Sequence, residues 1–233
     1  MNGTLNTKQP GVCQGLWLVC VFSLLTFTLI KSGLSHAADD KQQPVQKLER
    51  GIFLISNRNI SDPRFKQSVI LITKHDTTGS VGLIINKPTT IPVSHALTEV
   101  EKRKNIPEYM QFGGPVQFRS LLTILLHTER NPKGVWPFLD QVYIAAGFAN
   151  INGIVMDTEP SDQMKIYAGY AGWVRGQLHA EVARGNWHLK KADTHTLFRT
   201  DTENIWPEMI RSIEQEASRK WVLKERVPES NIL

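Results

Sequence analysis

The sequence predicts an α/β domain of the α+β-like kind: one mixed β-sheet with helices packed against it. Three observations predict it. Short apolar runs rich in β-branched residues recur between turn residues, as at 51–56 (GIFLIS), 68–73 (SVILIT) and 81–86 (VGLIIN). Helical spacing of apolar residues is confined to a few windows. The order is strands, a helix, more strands, a strand–helix unit and a terminal helix, which is not the regular alternation of an all-parallel sheet.

The chain of 233 residues opens with a segment of a different kind. Residues 15–30 (GLWLVCVFSLLTFTLI) carry no charge, Lys8 precedes them, and Ser35-His36-Ala37 supplies small residues where a signal peptidase cuts. The expected organisation is a secretory signal over 1–37, a polar linker over 38–50, a domain over 51–217 and a flexible tail over 218–233. The alternative for the first segment is an uncleaved inner-membrane anchor, although a span needs about 20 apolar residues. Either way the body of the chain is expected outside the cytoplasm, in the periplasm if the signal is cut. Cys13 and Cys20 both fall in the leader, so a chain starting at Ala38 has no thiol chemistry and no Cys-ligated metal. Removing Lys8 and Lys31 with the leader lowers the formal net charge from +5 to +3, too mild for a phosphate-backbone binder.

Within the body, the run at 51–56 reads as a buried strand. The next two runs flank KHDTTGS (74–80), whose Asp and Gly predict a hairpin. Pro88 ends the third strand and biases Lys87 toward extended backbone. Ser94 caps a helix expected to reach Lys104, with Leu97 and Val100 inward. YMQF, SLLTILLHT and VYIAAG read as further strands, 151–157 as a brief helix, and 164–173 (MKIYAGYAGW) as one strand. Val174, Leu178 and Val182 then recur every four residues on one helix face, and Gly185 closes that helix. The last helix is expected over 205–217, with Asn204 as cap and Pro207 in the first turn, where a missing N–H costs nothing.

Taken in order, LISNRNISDPRFKQSVILITKHDTTGSVGLIINKP, FGGPV, GYAGWVRGQLHAEVARGNW and LFRT resemble the YqgE/AlgH family of bacterial proteins over about residues 51–213. Asp62-Pro63, Asn86-Lys87-Pro88, Gly113-Gly114-Pro115 and the 169–177 cluster carry the match. The resemblance implies a single domain with a strongly bent, branched mixed sheet that includes a small barrel-like part. It implies little chemistry, since the family carries a regulator label through a link to alginate production. An exported chain departs from the family, most of whose members look cytoplasmic. Arg58 stands where a proline is common, and His179 where an acid is frequent.

The residues themselves offer one candidate cleft. Asn86, Lys87, Gly113 and Gly114 end strands, and strand-end loops often hold ligands in α/β proteins. Gly172, Trp173, Arg175, Gly176 and Gln177 lead into a helix N-terminus, whose free N–H groups favour an anion. The plainer reading of the same residues is strand–helix packing and tight turns. Neither GxGxxG nor GxxxxGK[ST] occurs. No HExxH or close histidine pair appears among the seven histidines, and His179 and Glu181 fall on different sides of a helix, so no metal and no cofactor is expected. No GxSxG elbow is present. Ser56, Ser68 and Ser120 sit in or beside strands, where hydroxyls find backbone partners, and His127 follows an apolar strand. The basic stretch SRKWVLKER reads as an exposed tail.

These readings favour a non-catalytic ligand- or partner-binding regulatory domain of the bacterial envelope, its partner a small anionic ligand or a protein. A metal-independent hydrolase or transferase on an anionic substrate is one alternative. A transcriptional regulator is the other, and it requires a chain that is not exported.

Overall fold

The computed structural model describes residues 47–97 and 106–225. The expected signal over 1–37, most of the linker, most of the helix expected over 94–104 and the last residues of the tail lie outside them. Eleven strands among the described residues form two sheets. The first has five strands, β1 (Ile52–Ser56), β2 (Val69–Asp76), β3 (Gly79–Ile84), β10 (Ala171–Val174) and β11 (Trp187–Lys191), in the order β10-β3-β2-β1-β11, all antiparallel. The second holds β4 (Pro88–Pro92), β5 (Tyr109–Phe112), β6 (Leu122–His127), β7 (Trp136–Leu139), β8 (Val142–Ala146) and β9 (Gln163–Ala168), ordered β4-β5-β9-β6-β8-β7. Its β5–β9 pair is parallel and makes the sheet mixed. Among the described residues four α-helices accompany the sheets: α1 (Phe148–Met156), α2 (Gln177–Ala183), α3 (Thr194–Phe198) and α4 (Ile205–Glu225).

The layers follow from the period-2 alternation of each strand. Leu54, Ile70, Ile72 and Ile84 of the first sheet bury one face under Leu178 of α2, Trp173 and Trp187. Phe53, Ile55, Leu71 and Leu83 point the other way, into a core shared with Leu125 and Tyr167 of the second sheet and Trp206 and Ile210 of α4. The far face of the second sheet, with Ile124 and Ile166, is covered by Ile151, Ile154 and Val155 of α1. Both sheets are therefore apolar on both faces, which is why the strand runs read as continuous rather than alternating. Each fully buried Ile or Leu contributes roughly 1.5–3 kcal/mol.

The one bent, branched sheet of the expectation is divided into these two, and the chain passes from one to the other twice. It crosses first between β3 and β4, and again between β9 and β10. Backbone bonds join the two crossings: Ile84 N–H donates to Gly113 O (2.9 Å), Gly113 N–H to Ala168 O (2.8 Å), and Val116 and Tyr170 exchange a pair at 3.0 Å each. Gly113 and Gly169 make this approach possible. A Cβ on Gly113 would stand 2.3 Å from Gly169 O, and Gly169 itself adopts φ 69°. That left-handed residue breaks the single strand expected over 164–173 into β9 and β10. Among the described residues neither sheet closes into a barrel.

Other elements depart from expectation for local reasons. Val174 was assigned to the helix face with Leu178 and Val182, but it ends β10 and is 72% exposed, so α2 begins only after Gly176. Gly185 closes α2 as expected, at φ 77° with its N–H on Val182 O. The terminal helix runs past residue 217 to Glu225, because Arg, Lys and Leu are good helix formers once a helix is nucleated. A 3-10 turn, Thr202–Asn204, leads into it. β7, β11 and α3 have no strong apolar period and were not foreseen.

Candidate functional site

The 12-residue connection between β1 and β2 is folded by its own polar side chains. Asp62 accepts the Arg64 N–H at 2.9 Å and pairs with the Arg64 guanidinium at 2.7 Å. That guanidinium holds the Asp62 carboxyl below the usual carboxylate range, against the opposite pull of burial. Lys87 Nζ donates to Arg64 O at 2.8 Å. Burial lowers the Lys87 pKa, and the Asp62 charge works in the other direction. Asn86, 6% exposed, accepts from Val69 N–H (2.7 Å) and donates to Gln67 O (2.9 Å), clamping a residue whose φ is 54°. Ser56 Oγ accepts the Ser68 N–H, and Ser68 Oγ donates to Phe65 O. These serines do have backbone partners.

Opposite this connection stands a wall built on one carboxylate. Glu181 Oε2 accepts from the indole N–H of both Trp173 and Trp187, each at 2.9 Å, while its Oε1 accepts from Gln177 Nε2 at 3.0 Å. Gln177 Oε1 takes the Val174 N–H at 3.2 Å. Gln177 and Glu181 are one helical turn apart, and that spacing puts them on one face of α2. Trp173 and Trp187 meet edge to face with centroids 6.3 Å apart, and Phe65 packs 6.2 Å and 6.0 Å from them. Phe65 thus joins the connection to the wall. The two indoles are 5% and 4% exposed, so their donors needed a partner inside the protein.

Between connection and wall runs a groove of about 290 Å³. Its polar rim includes Asp62, Arg64, Gln177, Glu181 and Arg184, and Gly172 and Pro115 border it. The Arg184 side chain is exposed and has no hydrogen-bond or ion-pair partner among the described residues. Both acids are already engaged. The groove therefore presents fixed carboxylates, guanidinium donors and an amide, an arrangement that orients a polar ligand.

The residues expected to share one cleft fall in four places. Gly172, Trp173 and Gln177 line the groove. Lys87 and Asn86 stand behind its connection wall and border another pocket with Trp206, while Gly113 and Gly114 brace the crossing that carries Pro115. Arg175 and Gly176 face away from the groove, into a cavity on the opposite side of α2. Arg64, Phe65, Glu181, Arg184 and Trp187 were not foreseen as lining residues. One signal for them was present: Glu181 lies a turn after Gln177 and between two tryptophans in a glycine-rich stretch. Arg58, a departure from the resemblance, forms a two-pronged ion pair with Glu214 (2.6 and 2.9 Å) and lies over the Trp206 ring, fastening α4. Among the described residues no cluster of three His, Cys, Asp or Glu is placed to hold a metal.

A family model described as AlgH-like matches residues 53–218. A UPF0301 protein of Bacteroides thetaiotaomicron is 32% identical over 165 residues, covering 70% of this chain and 82% of its own. One from Mycobacteroides abscessus is 30% identical over 174 residues, covering 72% and 81%. The solution structure of the AlgH protein from Pseudomonas aeruginosa superposes with a TM-score of 0.53 at 25% identity, covering 78% of this chain and 95% of that one. A crystal structure of a Corynebacterium diphtheriae protein superposes with a TM-score of 0.62 at 20% identity, covering 72% and 88%.

Proposed function

The chain belongs to the AlgH-like family, and from that membership we propose that it is a non-catalytic recognition domain of the bacterial envelope, binding its ligand or partner in the groove between the β1–β2 connection and α2. One observation carries the reading. The groove gathers Asp62, Pro115 and three residues of the glycine-rich stretch, Gly172, Trp173 and Gln177, which come from three separate motifs of the family resemblance. Two more of those motif residues, Asn86 and Lys87, hold its wall in place.

Recognition rather than catalysis is supported by where the charges are spent. A general base must be free to take a proton from its substrate. The Glu181 carboxylate instead accepts three hydrogen bonds from protein donors, and Asp62 is held by Arg64. The groups open to a ligand are Arg184 and the outer edge of Arg64. They suit a small anion or a carboxylate-bearing segment of a partner. The envelope assignment is supported by the uncharged run at 15–30, preceded by Lys8 and followed by Ser35-His36-Ala37. The family match begins at Phe53, beyond that run.

Gly172→Leu tests the groove. Gly172 is exposed, and an added Cβ would meet the Tyr170 ring edge at 3.2 Å and Val116 Cγ2 at 4.0 Å, both side chains rather than backbone. The variant should keep wild-type stability to within about 0.5 kcal/mol while its side chain fills the groove. In a thermal-shift screen of small carboxylates and phosphates, a ligand that stabilises the wild type should leave Gly172→Leu unmoved. Chemical conversion of such a compound by the wild type, or equal stabilisation of both proteins, overturns the proposal.

A further inference from the structure

A second cavity, of about 790 Å³, lies on the other side of α2. Leu48, Leu178, Val182 and Leu189 give it an apolar floor. Its rim is cationic. Arg175 and His179 are both exposed, and Arg175 has no hydrogen-bond or ion-pair partner among the described residues. The rings of His75 and His179 lie with centroids 5.1 Å apart, tilted at 43° to each other. His75 Nδ1 lies 2.8 Å from Ser80 Oγ, which fixes the ring and leaves its Nε2 for another partner. Lys47 adds a further positive charge.

Two acids also line the cavity. Asp76 is committed elsewhere: it accepts from the Thr78 backbone N–H at 2.8 Å and pairs with Lys74 Nζ at 3.1 Å. Glu49 is the other, and it opposes the cations. The groups facing His75 are therefore His179 from α2, Arg175 from the turn before α2, Lys47 and Glu49 from the segment before β1, Ser80 from β3 and Asp76 from its own strand.

We propose that this cavity is a binding site for a small organic anion, the charged head held between Arg175 and the His75–His179 pair and the apolar body lying on the leucines. The site is independent of the groove on the opposite face of α2. It acts as a pH-graded site, because His75, partly buried beside His179 and Lys47, resists taking on charge and an anion beside it removes the penalty. His75 is already kept below the ordinary imidazole value, first by burial and then by the charges of His179 and Lys47, with Asp76 acting in the opposite sense. An anion that raises it favours the protonated form. Binding therefore strengthens as pH falls through the imidazole range.

Benzenesulfonate is a suitable probe, since its charge does not change with pH, and benzenesulfonamide is its neutral counterpart. NMR titration followed at the histidine ring protons should give a benzenesulfonate affinity about tenfold higher at pH 5.5 than at pH 8, tenfold corresponding to one pKa unit on one imidazole. Arg175→Ala and His179→Gln should each weaken binding at pH 5.5, and Glu49→Gln should strengthen it. All three positions are exposed, so these variants should fold. Gly172→Leu should bind as the wild type does, separating this site from the groove. An affinity that is the same at both pH values, a sulfonamide that binds as well as the sulfonate, or binding retained in Arg175→Ala combined with His179→Gln overturns the proposal.

Discussion

Glu181 is the residue on which the groove wall depends. Its carboxylate satisfies two buried indole N–H groups and orients Gln177. Glu181→Ala should therefore strand both donors and lower stability in urea by about 1–3 kcal/mol, whereas Glu181→Gln, which keeps an acceptor oxygen, should cost less. A loss below about 0.5 kcal/mol for the alanine variant would show that the indoles do not rely on it. Asp162 plays a comparable part far from the groove. It is 5% exposed, accepts the Glu159 N–H at 2.8 Å and pairs with Arg130 at 2.6 Å. Burial pushes its carboxyl up, but the Glu159 N–H, the Thr128 hydroxyl and Arg130 outweigh burial and hold it below the ordinary value. A depressed carboxyl stabilises the fold above its unfolded pKa and stops doing so as pH falls through the folded value. Asp162→Asn should thus cost about 2–4 kcal/mol at pH 7, and the gap to wild type should narrow steadily below about pH 4. A gap that does not change with pH would refute the assignment. At this scale the sequence was only partly informative. It marked Trp173 and Gln177 as site residues, but not the acid that joins them, because a shared hydrogen-bond acceptor has no period to detect.

Among the elements, strands were the most legible. β1, β2, β3, β5, β6 and β8 fall where apolar runs predicted them, since strands buried on both faces read as unbroken hydrophobic stretches. The break between β9 and β10 was hidden. Nothing in MKIYAGYAGW requires Gly169 to turn left-handed until the neighbouring crossing at Gly113 is known. Glycine roles can accordingly be told apart by substitution. Gly169→Ala would place a Cβ 2.4 Å from Gly114 O in a left-handed conformation, and should cost more than about 3 kcal/mol or abolish soluble expression. Gly153 lies inside α1 with nothing within 4 Å of an added Cβ, so Gly153→Ala should stabilise by up to about 1 kcal/mol. Equal melting temperatures for the two variants would contradict this account of the crossing. α2 shows why the candidate residues separated. Trp173, Gln177 and Glu181 serve one side of the helix and its lead-in turn, while Arg175 and His179 serve the other. A single stretch of sequence therefore borders two cavities.

For the molecule as a whole, the sequence conveyed the α+β class, the mixed sheet and the family, while the division into two sheets emerged from the pairing. Among the described residues no helix is long and apolar enough to cross a membrane. The proposed export thus rests on the run at 15–30, and it predicts that protein recovered from the envelope fraction begins at Ala38 by N-terminal sequencing. An intact leader on cytosolic protein would oppose that placement. The recognition reading itself is tested most directly by native mass spectrometry of wild type and Gly172→Leu, each drawn gently from the envelope fraction of its own cells. The account predicts a discrete added mass on the wild type, released unchanged on denaturation and absent from Gly172→Leu. The same added mass on both proteins, or none on either, would contradict it.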